Sequence, residues 1–185
     1  HQSVKYCLKK GLLNYSALAR LIAKELKIEK KTSKEAILIA ARRYKEKIKD
    51  QHGEKEVIAL FKQSNVEIKN NIVSITIEKN VYPDSLVEME KEIKKQKGLF
   101  FAIEGTRSIT LIFQKKYKSN IEKKFKNNLL EKKDDLSLIT INSEGIGDIP
   151  GAVSYVASLF FEQGINIEEF MSCYDDTLIV IDSKD

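Results

Sequence analysis

The spacing of apolar residues changes once along the chain, near residue 50. Between residues 3 and 50, apolar side chains recur every three or four positions, which predicts amphipathic helices. From residue 66 onward, stretches that alternate apolar and polar residues are separated by helical stretches, which predicts strands and helices in one region. The pattern therefore predicts an α+β protein with a small helical N-terminal domain.

The N-terminal region predicts three short helices. The first covers about residues 3–10, the second begins near Ser16, which can cap it, and the third begins at the capping-box sequence of residues 32–35. The predicted buried positions are Leu18, Leu21, Ile22 and Leu26 in the second helix and Ile37, Ala40, Ala41, Tyr44 and Ile48 in the third. The connection between these two helices is short and basic, which predicts a helix–turn–helix-like pair.

Two similar patterns of strands and helices follow. Residues 66–69 and 72–77 alternate apolar and polar positions around Asn70-Asn71, which is a hairpin signal. The first of these strands is either the wing of a winged-helix-like domain or an edge strand of the next sheet. The second begins a βαββαβ order with a helix from about Pro83, strands 99–104 and 108–113, a helix over 117–127 and a last strand from Leu129.

The second pattern runs from strand 136–142 through the loop Ser143 to Gly151 into a helix that ends at Gly164, followed by strands 165–173 and 177–182. Pro150 is expected in the first turn of the helix, whose apolar positions are Val153, Val156, Ala157, Phe160 and Phe161. The final helix and strand are missing, so either the chain stops early or they come from elsewhere, and a sheet edge is left open. The predicted domains are 1–53, helical; 54–71, a connector helix with a wing or edge strand; 72–133, the first module; and 134–185, an incomplete second module.

Three features of the second pattern resemble an ACT domain. They are the Pro150-Gly151 helix start, the aliphatic helix and the closing sequence Gly164-Ile165-Asn166-Ile167. The closest likeness is to the regulatory region of aspartokinases, and it implies two ferredoxin-like ACT modules in tandem. The first module has the sequence Lys-Asn-Val-Tyr-Pro-Asp at residues 79–84 in place of the Gly-rich loop. It is therefore expected to be structural, or to bind a ligand only at an interface.

The loop and helix start of the second module form the candidate ligand site. Glycines leave the backbone open, and N–H groups at a helix N-terminus favour a carboxylate, although the same residues also suit a plain surface turn. The aspartokinase resemblance implies that a small amino acid binds here. The implied contacts are Gly147, Asp148, Ile149, Pro150, Gly151 and Ala152 in the loop, where backbone groups hold the carboxylate, and Asn166, Ile167 and Glu168 in the next strand. Asn166, Asp148 or Glu168 would face the amino group or a basic side chain.

Charge is distributed unevenly along the chain. Residues 1–53 hold 14 basic against 5 acidic residues, a net +9, whereas residues 134–185 hold 1 against 11, a net −10. A basic helix can neutralise phosphates in a major groove, so double-stranded DNA is a candidate partner; lysine-rich helices also occur for solubility alone. The candidate DNA-binding residues are Lys34, Arg42, Arg43, Lys45 and Lys49.

Two N-terminal runs, residues 14–20 and 36–44, are similar to helical segments of archaeal ACT-domain proteins that are described as regulator-like. The leading hypothesis is therefore a cytoplasmic regulator in which an amino acid bound by the second module controls DNA binding. The alternative is a ligand-binding or scaffold protein that regulates a partner enzyme without nucleic acid. The resemblance also implies a homodimer or higher oligomer.

The sequence gives little support for catalysis. Both histidines, His1 and His52, lie outside any acid–base or metal-ligand arrangement, and Cys7 and Cys173 have no metal-ligand spacing and are expected to be buried. The glycines of the loop match neither a dinucleotide fingerprint nor a P-loop. No enzyme, cofactor, metal site or membrane span is expected.

Overall fold

The computed structural model describes residues 2–49, 54–79 and 84–185. The chain divides into two compact units, the first ending at Lys55 and the second beginning at Glu56. The predicted boundary at residues 50–53 lies outside the described residues. No described helix has both the length and the apolar character needed to cross a membrane.

The first unit consists of helices α1 (Gln2–Lys10), α2 (Tyr15–Glu25) and α3 (Lys34–Lys49). The prediction that Ser16 caps α2 was wrong, because the side chain of Asn14 accepts hydrogen bonds from the backbone N–H groups of Ser16 and Ala17. At the start of α3, Ser33 is the capping residue, since its hydroxyl accepts the N–H of Ala36 at 3.2 Å. The three helices match the prediction, whereas a helix–turn–helix or winged-helix form is not confirmed.

The core of the first unit uses smaller residues than the sequence suggested. Leu18, Ala19 and Ala23 are the buried residues of α2, and Ile37, Ala41 and Ile48 are those of α3. Four predicted core positions were wrong, because their side chains are exposed: Leu21, Leu26, Ala40 and Tyr44. Alanines at the centre of the interface let two helices approach closely, and Ala19 and Ala23 of α2 form one buried cluster with Ile37 of α3.

The second unit contains one antiparallel sheet with the strand order β2-β3-β1-β4-β6-β5 and helices α4 to α7. Its elements are α4 (Glu54–Gln63), β1 (Asn65–Glu78), α5 (Asp84–Lys95), β2 (Phe100–Glu104), β3 (Ser108–Gln114), α6 (Lys118–Phe125), β4 (Leu129–Asn142), α7 (Ala152–Glu162), β5 (Ile167–Cys173) and β6 (Asp176–Asp182).

The first module has the predicted βαββαβ order. The second half of β1, with β2, β3 and the first half of β4, forms four strands in the order β2-β3-β1-β4, with α5 and α6 packed against them. The apolar residues of these strands and helices form one closed cluster: Val73, Ile75, Ile77, Leu86, Met89, Ile93, Phe100, Ile109, Leu111, Phe113, Tyr117, Ile121 and Phe125.

Strands β1 and β4 are each 14 residues long and belong to both modules. The predicted hairpin at Asn70-Asn71 was wrong, because β1 continues through these residues with a shift in register between Lys69 and Ile72. Asn71 has a positive φ of 60°, and Ser137 on β4 donates a hydrogen bond to the side chain of Asn70 at 2.8 Å. These residues therefore form an irregularity in a long strand, because β4 continues to pair with β1 on both sides of it.

The helix and strand that the second pattern lacks come from upstream in the chain. Residues 65–69 of β1 pair with residues 138–142 of β4, which in turn pair with β6. Helix α4 precedes that strand and packs through Val57 and Phe61 against residues of the second module. The second module is thus completed by residues 54–69, which the sequence suggested were a connector with a wing or edge strand.

The face of the sheet opposite the helices is also apolar and buried. Ile72 and Ile112 from the first module form one cluster with Leu136, Leu178 and Val180. Side chains from β2 and β5, the two outermost strands, pack against that same cluster. The sheet therefore curls until its ends approach each other, and this face becomes a second core.

Candidate ligand-binding site

The loop between β4 and α7 is fixed at its start by hydrogen bonds to two neighbouring segments. The N–H of Ser143 donates to the carbonyl of Asp175 at 2.8 Å, and the N–H of Gly145 donates to the Asp175 carboxylate at 3.1 Å. The buried hydroxyl of Ser143 also shares a hydrogen bond with Ser64, which follows α4. The β5–β6 turn and the upstream helix thus hold the entry of the loop in place.

The middle of the loop is anchored by an apolar residue and shaped by glycine. Residues Ile146–Asp148 form a single turn of 3-10 helix, and the buried side chain of Ile146 packs with Val57 and Ala152. Gly151 has a φ of 90°, which favours glycine, and it takes the N-cap position of α7. Pro150 therefore lies before the helix, so the prediction that it occupies the first turn was wrong.

The outer side of this loop is open. A Cβ atom built on Gly145, Gly147 or Gly151 would meet no atom within 4 Å. Asp148 is exposed, and Ile149 is half-buried against the cluster that contains Ile146. In the part of the chain that the structure describes, the N–H groups of Val153 and Ser154 donate to no acceptor. Open backbone and free donors at a helix N-terminus are the arrangement that suits a carboxylate.

The predicted second wall, at the start of β5, is already linked by hydrogen bonds. The side-chain amide of Asn166 donates to one carboxylate oxygen of Glu168 at 2.9 Å, and the ammonium group of Lys133 donates to the other at 2.6 Å. The hydrogen bond from Lys133, followed by that from Asn166, holds the pKa of the Glu168 carboxyl below its usual value. Ile167 is half-buried against the module core. This carboxylate therefore remains charged at neutral pH.

One chain does not bring the two predicted walls together. The loop leaves β4 after Asn142, which pairs with Asp176, whereas Ile167 pairs with Ile181, opposite Ser137. Five residue steps along β4 separate these levels, which is roughly 16 Å at about 3.3 Å per residue. Residues 147–152 thus lie at one end of the strands and residues 166–168 at the other.

Sequence reasoning missed the residues that hold the loop. Ser64, Ser143 and Asp175 fix its entry, while Val153 and Ser154 present the free N–H groups. The side chain of Asp176 accepts a hydrogen bond from Asn142 at 2.8 Å, so both aspartates of the turn have structural contacts. The signal available in the sequence was the turn-forming aspartate Asp175, because such side chains often accept hydrogen bonds from backbone N–H groups.

The predicted DNA-binding residues on α3 have different surroundings in the structure. Arg42 lies over the ring of Tyr15 at 5.9 Å, and Lys45 lies beside Gly11. Arg43 instead belongs to an exposed stripe on the helix that also contains Ala36, Ile39, Ala40, Tyr44 and Lys47. Lys34 is exposed, and the side chain of Lys49 lies outside the described residues. The stripe is apolar at its centre and basic at its edges.

Two further predictions concern the rest of the chain. Residues 80–83, in the segment of the first module that corresponds to the Gly-rich loop, lie outside the described residues. Cys173 is exposed and Cys7 is half-buried, so the prediction that both are buried was wrong. Among the described residues, no group of three or more His, Cys, Asp or Glu side chains is placed to hold a metal ion.

The fold of this chain resembles parts of two aspartate kinases and the regulatory subunit of a third. The aspartate kinase of Clostridium acetobutylicum matches 65% of this chain and 32% of its own, with 17% identity and a TM-score of 0.53. Aspartokinase III of E. coli, in complex with aspartate and ADP, matches 68% of this chain and 31% of its own, with 12% identity and a TM-score of 0.51. The regulatory subunit of aspartate kinase from Thermus thermophilus matches 64% and 86%, with 12% identity and a TM-score of 0.50.

These likenesses concern the fold. The chain spans about a third of the length of the two kinases, and most of the length of the separate regulatory subunit. No protein-family model matches the chain, and no curated protein matches it. The α+β fold is thus similar to that of the aspartate kinase regulatory subunit, the likeness that the residues around Gly151 and Gly164 suggested.

Proposed function

We propose that this protein is a cytoplasmic regulatory protein that senses a small amino acid through its second ACT-like module, and that it is not an enzyme. The observation that carries the proposal is the loop before α7. Its glycines leave the backbone accessible, and the N–H groups of Val153 and Ser154 have no acceptor among the described residues. A ligand carboxylate supplies the missing acceptors, and the helix dipole favours its charge.

The ligand site is proposed to lie between two copies of the chain. In one copy, residues 147–152 and residues 166–168 are roughly 16 Å apart along the strands, which exceeds the reach of a small amino acid. A second copy that places its Asn166 and Glu168 opposite the loop of the first supplies the acidic wall for the ligand's amino group. The proposal therefore includes a homodimer or higher oligomer.

The test is a thermal-melt screen of the whole chain against the twenty amino acids at millimolar concentration. A ligand that binds only the folded protein raises the melting midpoint, by an amount that grows with its concentration. We expect a shift for one or two chemically related amino acids and no shift in Gly147→Asp, whose carboxylate repels the ligand. Gly147→Ala is the matched control, because its methyl group enters open space.

Absence of a shift for all twenty amino acids would contradict the sensing proposal. Sedimentation analysis with and without the active amino acid tests the oligomer separately. A protein that binds the amino acid as a monomer would contradict only the site between two copies.

For the basic N-terminal unit, binding to double-stranded DNA is the first candidate role. Lys34, Arg42 and Arg43 are exposed and can neutralise phosphates. A gel-shift titration at several salt concentrations tests this role, and Arg42→Glu is expected to weaken binding at every salt concentration. Weak binding that disappears near physiological salt would contradict it.

The second candidate role is docking on a partner enzyme, with no nucleic acid involved. It is favoured by Ile39 and Tyr44, which are about half exposed at the centre of the α3 stripe. Phosphate contacts need no apolar centre, whereas protein interfaces use one. Ile39→Ser is therefore expected to leave DNA binding unchanged, and a loss of DNA affinity in this variant would place the apolar stripe in the DNA contact.

A further inference from the structure

A groove runs between α5 and α6 on the outer side of the first module, which the sequence suggested is structural or binds a ligand only at an interface. Its volume is about 690 Å³, within the range of small-molecule sites. Helix α5 and the residue after it contribute Met89, Glu92, Ile93 and Gln96, and the segment from the 3-10 turn into α6 contributes Lys116, Tyr117, Asn120, Ile121, Lys123 and Lys124. It is separate from the loop before α7.

The floor of the groove is apolar and fixed. Met89, Ile93, Tyr117 and Ile121 belong to the closed core of the module, so their positions do not depend on a ligand. The Tyr117 hydroxyl donates to the side-chain oxygen of Gln96 at 3.4 Å and links the two helices. A Cβ on Gly98 would lie 2.4 Å from that hydroxyl, so glycine is what allows the tyrosine to lie there.

The two sides of α6 differ in how their lysines are neutralised. On the side facing β4, Lys118 pairs with Asp134 at 2.7 Å and Lys132 pairs with Glu122 at 3.0 Å. On the groove side, Lys123 has no acidic partner among the described residues, and the ammonium group of Lys116 lies 4.8 Å from the centre of the Tyr117 ring. Lys116 and Lys123 therefore bring positive charge to the α6 side of the groove, and Glu92 brings negative charge to the α5 side.

We propose that this groove binds an amphipathic anion, with an aliphatic or aromatic body that ends in a carboxylate or phosphate. The body covers Met89, Ile93 and Ile121, and the anionic group binds Lys123 and Lys116, where Asn120 offers a further hydrogen bond. The site goes beyond the amino-acid proposal, because it uses none of the same residues.

The test is a titration of the ¹⁵N-labelled full chain with dodecanoate at sub-millimolar concentrations, followed by amide chemical shifts. Saturable shifts are expected along the facing sides of α5 and α6. Dodecyl phosphate distinguishes the two head groups, since the tighter of the two ligands identifies the preferred anion. Dodecyltrimethylammonium has the same chain and the opposite charge, and it is expected not to bind.

Two variants and one control variant test whether the ligand binds in the groove. Lys123→Glu is expected to weaken dodecanoate about tenfold, because it replaces an attractive charge with a repulsive one. Lys126→Glu is the matched control at the C-cap of the same helix, outside the groove, and is expected to bind like the original protein. Asn120→Trp fills the groove from an exposed position, so it is expected to block binding without lowering the melting temperature.

Four results would overturn the proposal. The first three are no saturable binding of either anion, equal binding of the cationic amphiphile, and equal effects of Lys123→Glu and Lys126→Glu. Shifts centred on the exposed Phe161 of α7 instead of the groove would also overturn it, because they would report general adsorption to apolar surface.

Discussion

The two modules share one strand order, but their helices cover the sheet to different extents. In the first module every residue of the core cluster is buried, and Phe113 is 0% exposed. In the second, Ile139, Phe160, Ile165, Ile167 and Phe170 are only partly buried, and Phe161 is 83% exposed. The core of the first module is therefore closed to solvent, whereas the second module leaves apolar side chains partly or largely exposed.

The difference follows from where the second helix of each module comes from. In the first module, α6 lies between β3 and β4 and packs through Ile121 and Phe125. In the second, α4 arrives from upstream and reaches the Gly-rich loop through Val57. The same sheet thus combines a half whose core is fully buried with a half that leaves apolar side chains partly exposed.

Replacing one phenylalanine of each module by alanine is expected to give the largest difference in stability between the modules. Phe113→Ala should lower the free energy of unfolding by about 3 to 5 kcal/mol, because it empties a fully buried site. Phe170→Ala, on β5 of the second module, should cost less than half as much, since Phe170 is only half-buried. Urea denaturation measures both, and equal losses would mean that the second module is as closely packed as the first.

Local patterns in the sequence predicted most elements but not how they join. The helices from Gln2 to Lys49 and the loop-to-helix step at Gly151 follow from apolar spacing and turn residues. The continuity of β1 through Asn71 does not, because an asparagine with positive φ fits a hairpin and a strand irregularity equally well. Only the pairing with β4, about 65 residues away, decides between them.

The candidate site, too, could be predicted only in part: its local residues could be, whereas their distances from other segments could not. The loop residues Gly147 to Ala152 lie together as the motif suggested, since they are neighbours in sequence. Their distance from Asn166 and Glu168 depends on strand direction, because α7 carries the chain back to the opposite end of the sheet. The support of the loop by Ser64 depends on an upstream helix, which no local motif contains.

Replacing one glycine of each module by alanine tests the difference in packing between the modules in a second way. Gly98→Ala should destabilise the protein by about 2 to 3 kcal/mol, because the new Cβ would lie 2.4 Å from the Tyr117 hydroxyl and 2.7 Å from Ile93. Gly147→Ala should leave stability nearly unchanged, because its Cβ meets no atom within 4 Å. Thermal and urea unfolding measure both, and a large loss for Gly147→Ala would show that the loop is closed.

The smallest expected effect concerns the ion pair that joins the two modules. Lys133 lies in the first half of β4, and Glu168 lies at the start of β5, with 2.6 Å between the ammonium and carboxylate groups. Glu168→Gln should cost about 1 kcal/mol at pH 7, since the pair is partly exposed. The matched control is Glu67→Gln, which removes a more exposed pair with Lys69 and should change stability little.

The pH dependence of that loss distinguishes a charge interaction from a packing effect. The pKa of Glu168 in the folded chain is below its usual value, chiefly because of the hydrogen bond from Lys133. The unfolded chain therefore takes up a proton first as the pH falls, so the pair stabilises the fold above the ordinary glutamate pKa of about 4.3. This stabilisation is lost as the pH falls through the lower folded value. The difference between the original protein and Glu168→Gln should thus be constant near neutral pH and disappear in acid. A difference that persists in acid would show that the two modules are joined there by packing instead of charge.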